Sequence, residues 1–199
     1  MPTLLLATNN RAKVREYVQA LEGVPYSMVT LADIGVDVAV SETGQTLEEN
    51  ADLKATAYAS ASGLVSLADD SGLEVEALGG EPGVLSARYA GEDASDRERI
   101  DFLLSRLEHV PWEGRQARFR CVIAIAAPQS EVELCEGVCP GIITLEPRGE
   151  GGFGYDPVFF LPELGKTMAE LTMEEKNEVS HRGKAARKAR ELLLARAKR

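Results

Sequence analysis

The stretch LVSLADDSG, residues 64–72, passes from apolar to acidic with nothing between. Leu64, Val65, Leu67 and Ala68 suit burial, yet Asp69 and Asp70 follow at once, then Ser71 and Gly72. A carboxylate buried bare is costly, so both must be hydrated, paired or bound to a cation. The apolar run predicts a core strand that ends at the two acids. Upstream, TLEENADLKATAYASAS reads as a helix entered at Thr46, with Thr46 and Glu49 as a capping box. Asn50 and Lys54, four apart, share one face of it; Leu47, Ala51 and Tyr58 share another. Downstream, GLEVEALGG alternates like a second strand and stops at two glycines and Pro82.

Further out the pattern repeats. TLLLAT (3–8) is a short strand followed at once by the helix NNRAKVREYVQALEG, with Val14, Val18 and Leu21 as its apolar face. Residues 26–40 predict a weaker strand region in which GVDVAV alternates. SDRERIDFLLSRLEHV has a Ser95–Glu98 capping box and the stripe Ile100, Leu103, Leu104, Leu107, and it predicts a helix. ARFRCVIAIAAP, EVELCEGV and GIITLEP read as strands, with CPG a turn between the last two, and VFFLP as another after the glycine-rich RGEGGFGYDP. Thr172 with Glu175, and then Ser180, are caps for two closing helices. Strands and helices alternate early and strands cluster in the middle, which predicts an α/β protein with a mixed sheet and helices outside it. No repeat, linker or clean boundary divides residues 1–199, so one domain is expected.

The totals narrow the function classes. No apolar run approaches the ~18 residues of a spanning helix, and MPTLLLATNNR lacks the basic region and cleavage site of a signal peptide. Three cysteines (Cys121, Cys135, Cys139) form an odd set, so reduced thiols in a cytoplasmic protein are expected, and C-x3-C without a second pair argues against structural zinc. The net charge of −10 is uneven: residues 181–199 hold eight Lys/Arg against Glu191, while the other 180 hold 14 basic and 31 acidic side chains. So acidic a body argues against a nucleic-acid partner and leaves the basic tail as the one feature in its favour.

Four segments carry chemistry-bearing residues. Thr8, Asn9, Asn10, Arg11, Ala12 and Lys13 lie at a strand–helix junction, where helix amides and a lysine can receive phosphate; alternatively an asparagine simply caps the helix. Asp70 with Glu42 of SETG could hold Mg²⁺, which takes oxygen ligands and keeps waters for phosphate. GGFGYDP offers Phe153 and Tyr155 as stacking faces or as core plugs. EEKNEVSHRGK gathers Lys176, His181 and Arg182 ahead of a helix.

In this order, LLLATNNRAKVREY, SETGQTLEENADLKA, ADDSGLEVEALGGEPGVLSARYAG, GGFGYDPVFF and MAELTMEEKNEVSHRGKA resemble the inosine triphosphate pyrophosphatase family, from residue 3 to about 190. The resemblance implies Mg²⁺-dependent hydrolysis of non-standard purine nucleoside triphosphates (ITP, dITP, XTP) to monophosphate and pyrophosphate, by water attacking the α-phosphorus. It implies an elongated mixed α/β fold, with two lobes, a substrate cleft between them, and a homodimer. On it, Thr8 through Lys13 match the triphosphate-binding segment, Glu42 the metal-associated acid, and Asp70 the proton acceptor and metal-linked carboxylate. Lys54 matches a lysine near the phosphates and Ser71 a substrate contact. Phe153, Gly154, Tyr155 and Asp156 would frame the base, with Lys176, His181 and Arg182 completing that pocket. Asp69 is left as support for Asp70.

Overall fold

The structure, a computed structural model, describes residues 1–36, 38 and 40–198. In chain order its strands and α-helices are β1 (Thr3–Leu6), α1 (Arg11–Ala20), β2 (Ser27–Thr30), α2 (Leu47–Ser62), β3 (Val65–Val75), β4 (Pro82–Gly83) and α3 (Asp96–Arg106). β5 (Gln116–Ala126), β6 (Glu133–Ile143), β7 (Phe159–Leu161), β8 (Lys166–Thr167), α4 (Met173–Val179) and α5 (His181–Arg196) follow. The strands form one mixed sheet in the order β2-β1-β3-β5-β6-β7-β8, with β4 paired to β3. β1 runs parallel to both β2 and β3, whereas β4 is antiparallel to β3 and β7 to β6 and β8. The α/β class with a mixed, helix-flanked sheet is what the alternation of elements predicts. Among the described residues no helix is long and apolar enough to cross a membrane.

The chain divides into two compact units: Met1–Asp70 with Cys121–Gly137 and Arg182–Arg199, and Ser71–Arg120 with Val138–His181. In the first unit, α1 buries Tyr17 and Leu21 with Leu4, Leu6 and Leu67 of β1 and β3. Val18 is 45% exposed, so the apolar face runs Val14–Tyr17–Leu21 rather than through Val18. Ala185, Ala186 and Ala189 let the basic α5 lie close to the same core, which Leu193 extends. Several of its charges bond to their own unit: Lys188 Nζ donates to the Glu136 carbonyl, Arg190 Nε to the Glu22 carbonyl, and Arg196 pairs with Glu133.

In the second unit, α3 turns Ile100, Leu103 and Leu107 onto Phe119, Ile143, Phe159 and Leu161. Its capping box is complete, with Ser95 Oγ accepting the Glu98 N–H and Glu98 accepting the Ser95 N–H. α4 is capped in the same way by Thr172 and Glu175.

Three local expectations change. β3 does not stop at the aspartates but continues through Asp69-Asp70-Ser71-Gly72 to Val75. Gly72 serves a close approach: a Cβ there would lie 2.5 Å from the Gly83 carbonyl oxygen on β4. CPG is no turn either, because β6 runs unbroken from Glu133 to Ile143. A Cβ on Gly141 would meet the Phe159 ring at 2.6 Å, so that glycine also admits a neighbour. The weak strand region shrinks to Ser27–Thr30; part of the GVDVAV alternation, at 37 and 39, lies outside the described residues. The three cysteines are buried and none forms a disulfide, and burial pushes the Cys135 thiol up to about 11, which keeps it protonated and a poor metal ligand.

Candidate active site

Strand alternation sends Asp69 and Asp70 to opposite faces of β3, and the two acquire different surroundings within the first unit. Asp69 is 3% exposed. Its Oδ2 accepts from Lys13 Nζ at 2.8 Å and lies 3.9 Å from Arg182 Nε. Burial alone would raise its pKa, but the Lys13, Arg182 and Lys54 cations outweigh that and hold the carboxyl well below the usual range. Asp69 is therefore ionised at neutral pH.

Asp70 meets α2 instead. Asn50 Nδ2 donates to its Oδ2 at 3.1 Å and Lys54 Nζ to its Oδ1 at 3.2 Å. The i, i+4 spacing of Asn50 and Lys54 puts both on one helical face. Lys54 also reaches Glu42 Oε1 at 2.5 Å, so Glu42 and Asp70 converge on one ammonium. Burial raises the Asp70 pKa, the Lys54 cation opposes this, and the Glu42 carboxylate adds to the rise. For Lys54 burial works the other way, yet Asp70, Asp69 and Glu42 prevail and raise it, so it stays charged. Asn50 also accepts the Gly44 N–H at 2.8 Å on Oδ1. That bond ties the turn after Glu42 to α2.

At the β1–α1 junction Asn10 is the helix cap: its Oδ1 accepts the Ala12 and Lys13 N–H groups at 2.9 and 3.2 Å. Thr8 Oγ1 accepts the Asn10 N–H at 3.2 Å, and Asn9, Asn10 and Arg11 are exposed. Lys13 leaves the first turn for Asp69. Arg182 belongs to this unit too; its guanidinium donates to the buried Glu16 at 2.6 Å. Burial opposes that charge, but Glu16, Tyr17 and Asp69 raise its pKa well above normal.

The second unit holds the other candidates. Asp156 is buried and accepts from Lys176 Nζ at 2.6 Å and from the Phe153 N–H at 2.9 Å. A Cβ on Gly152 would sit 2.0 Å from Asp156 Oδ2, so glycine is needed for that carboxylate to turn back on the loop. Lys176 Nζ stands 4.7 Å above the half-buried Phe153 ring. Tyr155 is a core plug whose hydroxyl donates to the Ser86 carbonyl at 2.9 Å. His181 stacks on Phe119 with centroids 4.6 Å apart. Ser71 is half-buried on β3.

The structure thus joins Glu42, Lys54 and Asp70 into one cluster and Lys13, Asp69 and Arg182 into a second, both within the first unit. Phe153, Asp156 and Lys176 form a third in the second unit. Asn50 and Glu16 join these clusters although the sequence assigns them no role. The four-residue step from Asn50 to Lys54 signals the first, whereas nothing in the sequence signals a buried Glu16. Among the described residues no group of three or more His, Cys, Asp and Glu side chains gathers as a ready metal cage.

The Ham1 family model matches residues 4–192. A protein of Desulforamulus reducens named dITP/XTP pyrophosphatase is 53% identical over 96% of this chain and 94% of its own. One of the same name from Bacillus subtilis is 49% identical over 98% of both. Among solved structures, a HAM1 protein from Coxiella burnetii superposes with a TM-score of 0.89 at 42% identity, covering 98% of this chain and 100% of that one. With its fold and nearly its whole length shared, this chain belongs to the Ham1 family.

Proposed function

We propose that this chain is a nucleoside-triphosphate pyrophosphatase that hydrolyses ITP, dITP and XTP to the monophosphate and pyrophosphate. One observation carries the mechanism: Asp70, a buried carboxylate with a raised pKa, is held in place by Asn50 and Lys54. A carboxylate whose pKa is raised by burial and that two donors hold in place is suited to taking a proton from an attacking water. The names carried by relatives at 53% and 49% identity supply the substrate class.

Glu42 and Asp70 also suit a divalent cation. Two hard oxygens converge on one ammonium at 2.5 and 3.2 Å, and Mg²⁺ needs only one or two carboxylates besides phosphate oxygens and water. When bound, such an ion would neutralise phosphate charge and polarise the phosphoryl group. Asp70 would accept the proton of water attacking the α-phosphorus, and Lys54 and Lys13 would stabilise the departing pyrophosphate. Phosphoryl transfer depends on such positioning and charge neutralisation, and an acidic protein needs local cations to admit a triphosphate at all. Thr8 through Lys13 would take the phosphates and Ser71 a further substrate contact.

In the second unit, Phe153 supplies a stacking face, with Gly154, Tyr155 and Asp156 shaping its loop. Lys176 and His181 are the donors assigned to the base. Hypoxanthine and xanthine present a 6-oxo acceptor where adenine presents an amino donor. Donors facing donors would leave ATP rejected by ~10⁴, as at other hydrogen-bonding sites. A cytoplasmic homodimer completes the reading, and sedimentation checks the dimer.

Pyrophosphate release from ITP, XTP, dITP, GTP and ATP, with and without Mg²⁺, tests the substrate and the metal. Preference for ITP and XTP, lost with chelator, is expected; equal kcat/KM for ATP and ITP refutes the assignment. Oxygen-18 from labelled water should appear in the monophosphate. Its appearance in pyrophosphate would exclude attack at the α-phosphorus.

A further inference from the structure

The Phe153–Asp156 loop is held by groups that this chemistry does not use. Asp96, the first residue of α3, accepts the Gly154 N–H on Oδ2 at 2.6 Å. Its Oδ1 pairs with the Arg99 guanidinium, and Arg99 Nη1 donates to the Ala87 carbonyl at 2.6 Å. Alongside, the Tyr155 hydroxyl is anchored on the Ser86 carbonyl. Ser86 Oγ accepts the Leu73 N–H at 2.9 Å and donates to the Gly83 carbonyl at 2.6 Å. The Ser95–Glu98 capping box fixes where α3 starts and so where Asp96 stands.

Two successive amides of the loop are therefore pinned by two different carboxylates, Phe153 N–H by Asp156 and Gly154 N–H by Asp96. Pinning both sets the peptide between them and with it the direction of the Phe153 ring. Gly154 has a φ of +61°, a conformation open to glycine but not required of it. Such a turn keeps one shape only when something outside it holds it. A carboxylate on a backbone N–H is a charge-assisted bond, roughly twice as strong as a neutral one.

We propose that Asp96 is a positioning residue: through the Gly154 N–H, and steadied by Arg99, it sets the turn that presents Phe153 and Asp156 to the purine. The proposal rests on the reading of that loop as base-binding. Asp96 touches no substrate; its effect passes through the peptide it holds.

Full-length Asp96→Ala, Asp96→Asn and Phe153→Ala test it with ITP and XTP. Loss of one charge-assisted hydrogen bond should raise KM about tenfold in Asp96→Ala. A loop that only binds leaves kcat within about twofold. Asp96→Asn keeps an acceptor oxygen and should stay within about threefold of the parent, most of the loss being rescued. Hydrogen exchange at the Gly154 amide should speed up in the alanine variant alone. Should that variant not fold, Asp96→Ser, too short to reach the amide, replaces it. An unchanged KM in Asp96→Ala beside a raised KM in Phe153→Ala overturns the positioning role and leaves the base reading standing. An unchanged KM in both overturns both. A fall in kcat and Tm at constant KM shows mere structural support and also overturns the proposal.

Discussion

Asp69→Asn and Asp70→Asn should fail in different ways, although the two residues are adjacent. Removing the Asp69 charge leaves its partners without a buried counter-ion, and breaking a buried pair from one side costs about 3–5 kcal/mol. Two features favour the lower end of that range. Arg182 keeps Glu16 at 2.6 Å, and the Lys13 side chain is 16% exposed and can turn toward water. Unfolding entropy of about 2.1 cal/mol/K per residue, over 199 residues, makes 1 kcal/mol worth about 2.4 °C. Asp69→Asn should therefore lower Tm by about 7 °C. In Asp70 the charged form is already disfavoured by burial and by Glu42, so an amide there costs about 1 kcal/mol or less, about 2 °C. Turnover should instead fall about 10²–10⁴-fold, the range for loss of a positioned general base. Calorimetry at neutral pH, paired with pyrophosphate release from ITP, reads both. Equal Tm changes in the two variants, or a larger one in Asp70→Asn, would refute this division of labour.

Three further outcomes are expected. The Tm gap between the parent and Asp69→Asn should depend on pH: a depressed carboxyl pKa adds stability above its ordinary value of 3.8 and loses it as pH falls through the folded value. The gap should hold down to about pH 4 and then narrow; a gap that widens in acid contradicts the Lys13–Asp69 pairing. Ser66 Oγ is fully buried with no hydrogen-bond partner among the described residues. Ser66→Ala should raise Tm by about 2 °C, equivalent to about 1 kcal/mol, and a drop of that size would show a missed partner. Gly152→Ala puts a Cβ 2.0 Å from Asp156 Oδ2 at a φ of +70°. It should displace Asp156 and raise KM for ITP several-fold with the circular dichroism spectrum intact; an unchanged KM separates Asp156 from substrate binding.

Much of this was legible from local pattern alone. Capping boxes at Ser95 and Thr172 and the Ile100–Leu103–Leu107 stripe mark helices whose ends and faces depend on neighbours a few residues away. Val18 shows where pattern stops: hydrophobicity nominates it, but the larger Tyr17 occupies the core and leaves it outside. In one dimension Gly141 reads as part of a turn and Gly72 as the break between two strands. In space they are the points where Gly83 and Phe159 press against a strand that runs straight on.

By itself the sequence determined the α/β class, most of the elements, and the family through five segments in order, because each is written in contiguous residues. It also placed Asn50 and Lys54 on one face, since helical spacing is a local rule. Only the tertiary structure decided the charges' partners. Glu42 and Asp70 lie 28 positions apart and Asp69 and Arg182 more than a hundred, and Coulomb energy depends on distance in space, not along the chain. Burial then assigned the two aspartates of LVSLADDSG their characters. One is surrounded by cations and stays ionised; the other sits beside Glu42 in a desolvated place and can take up a proton.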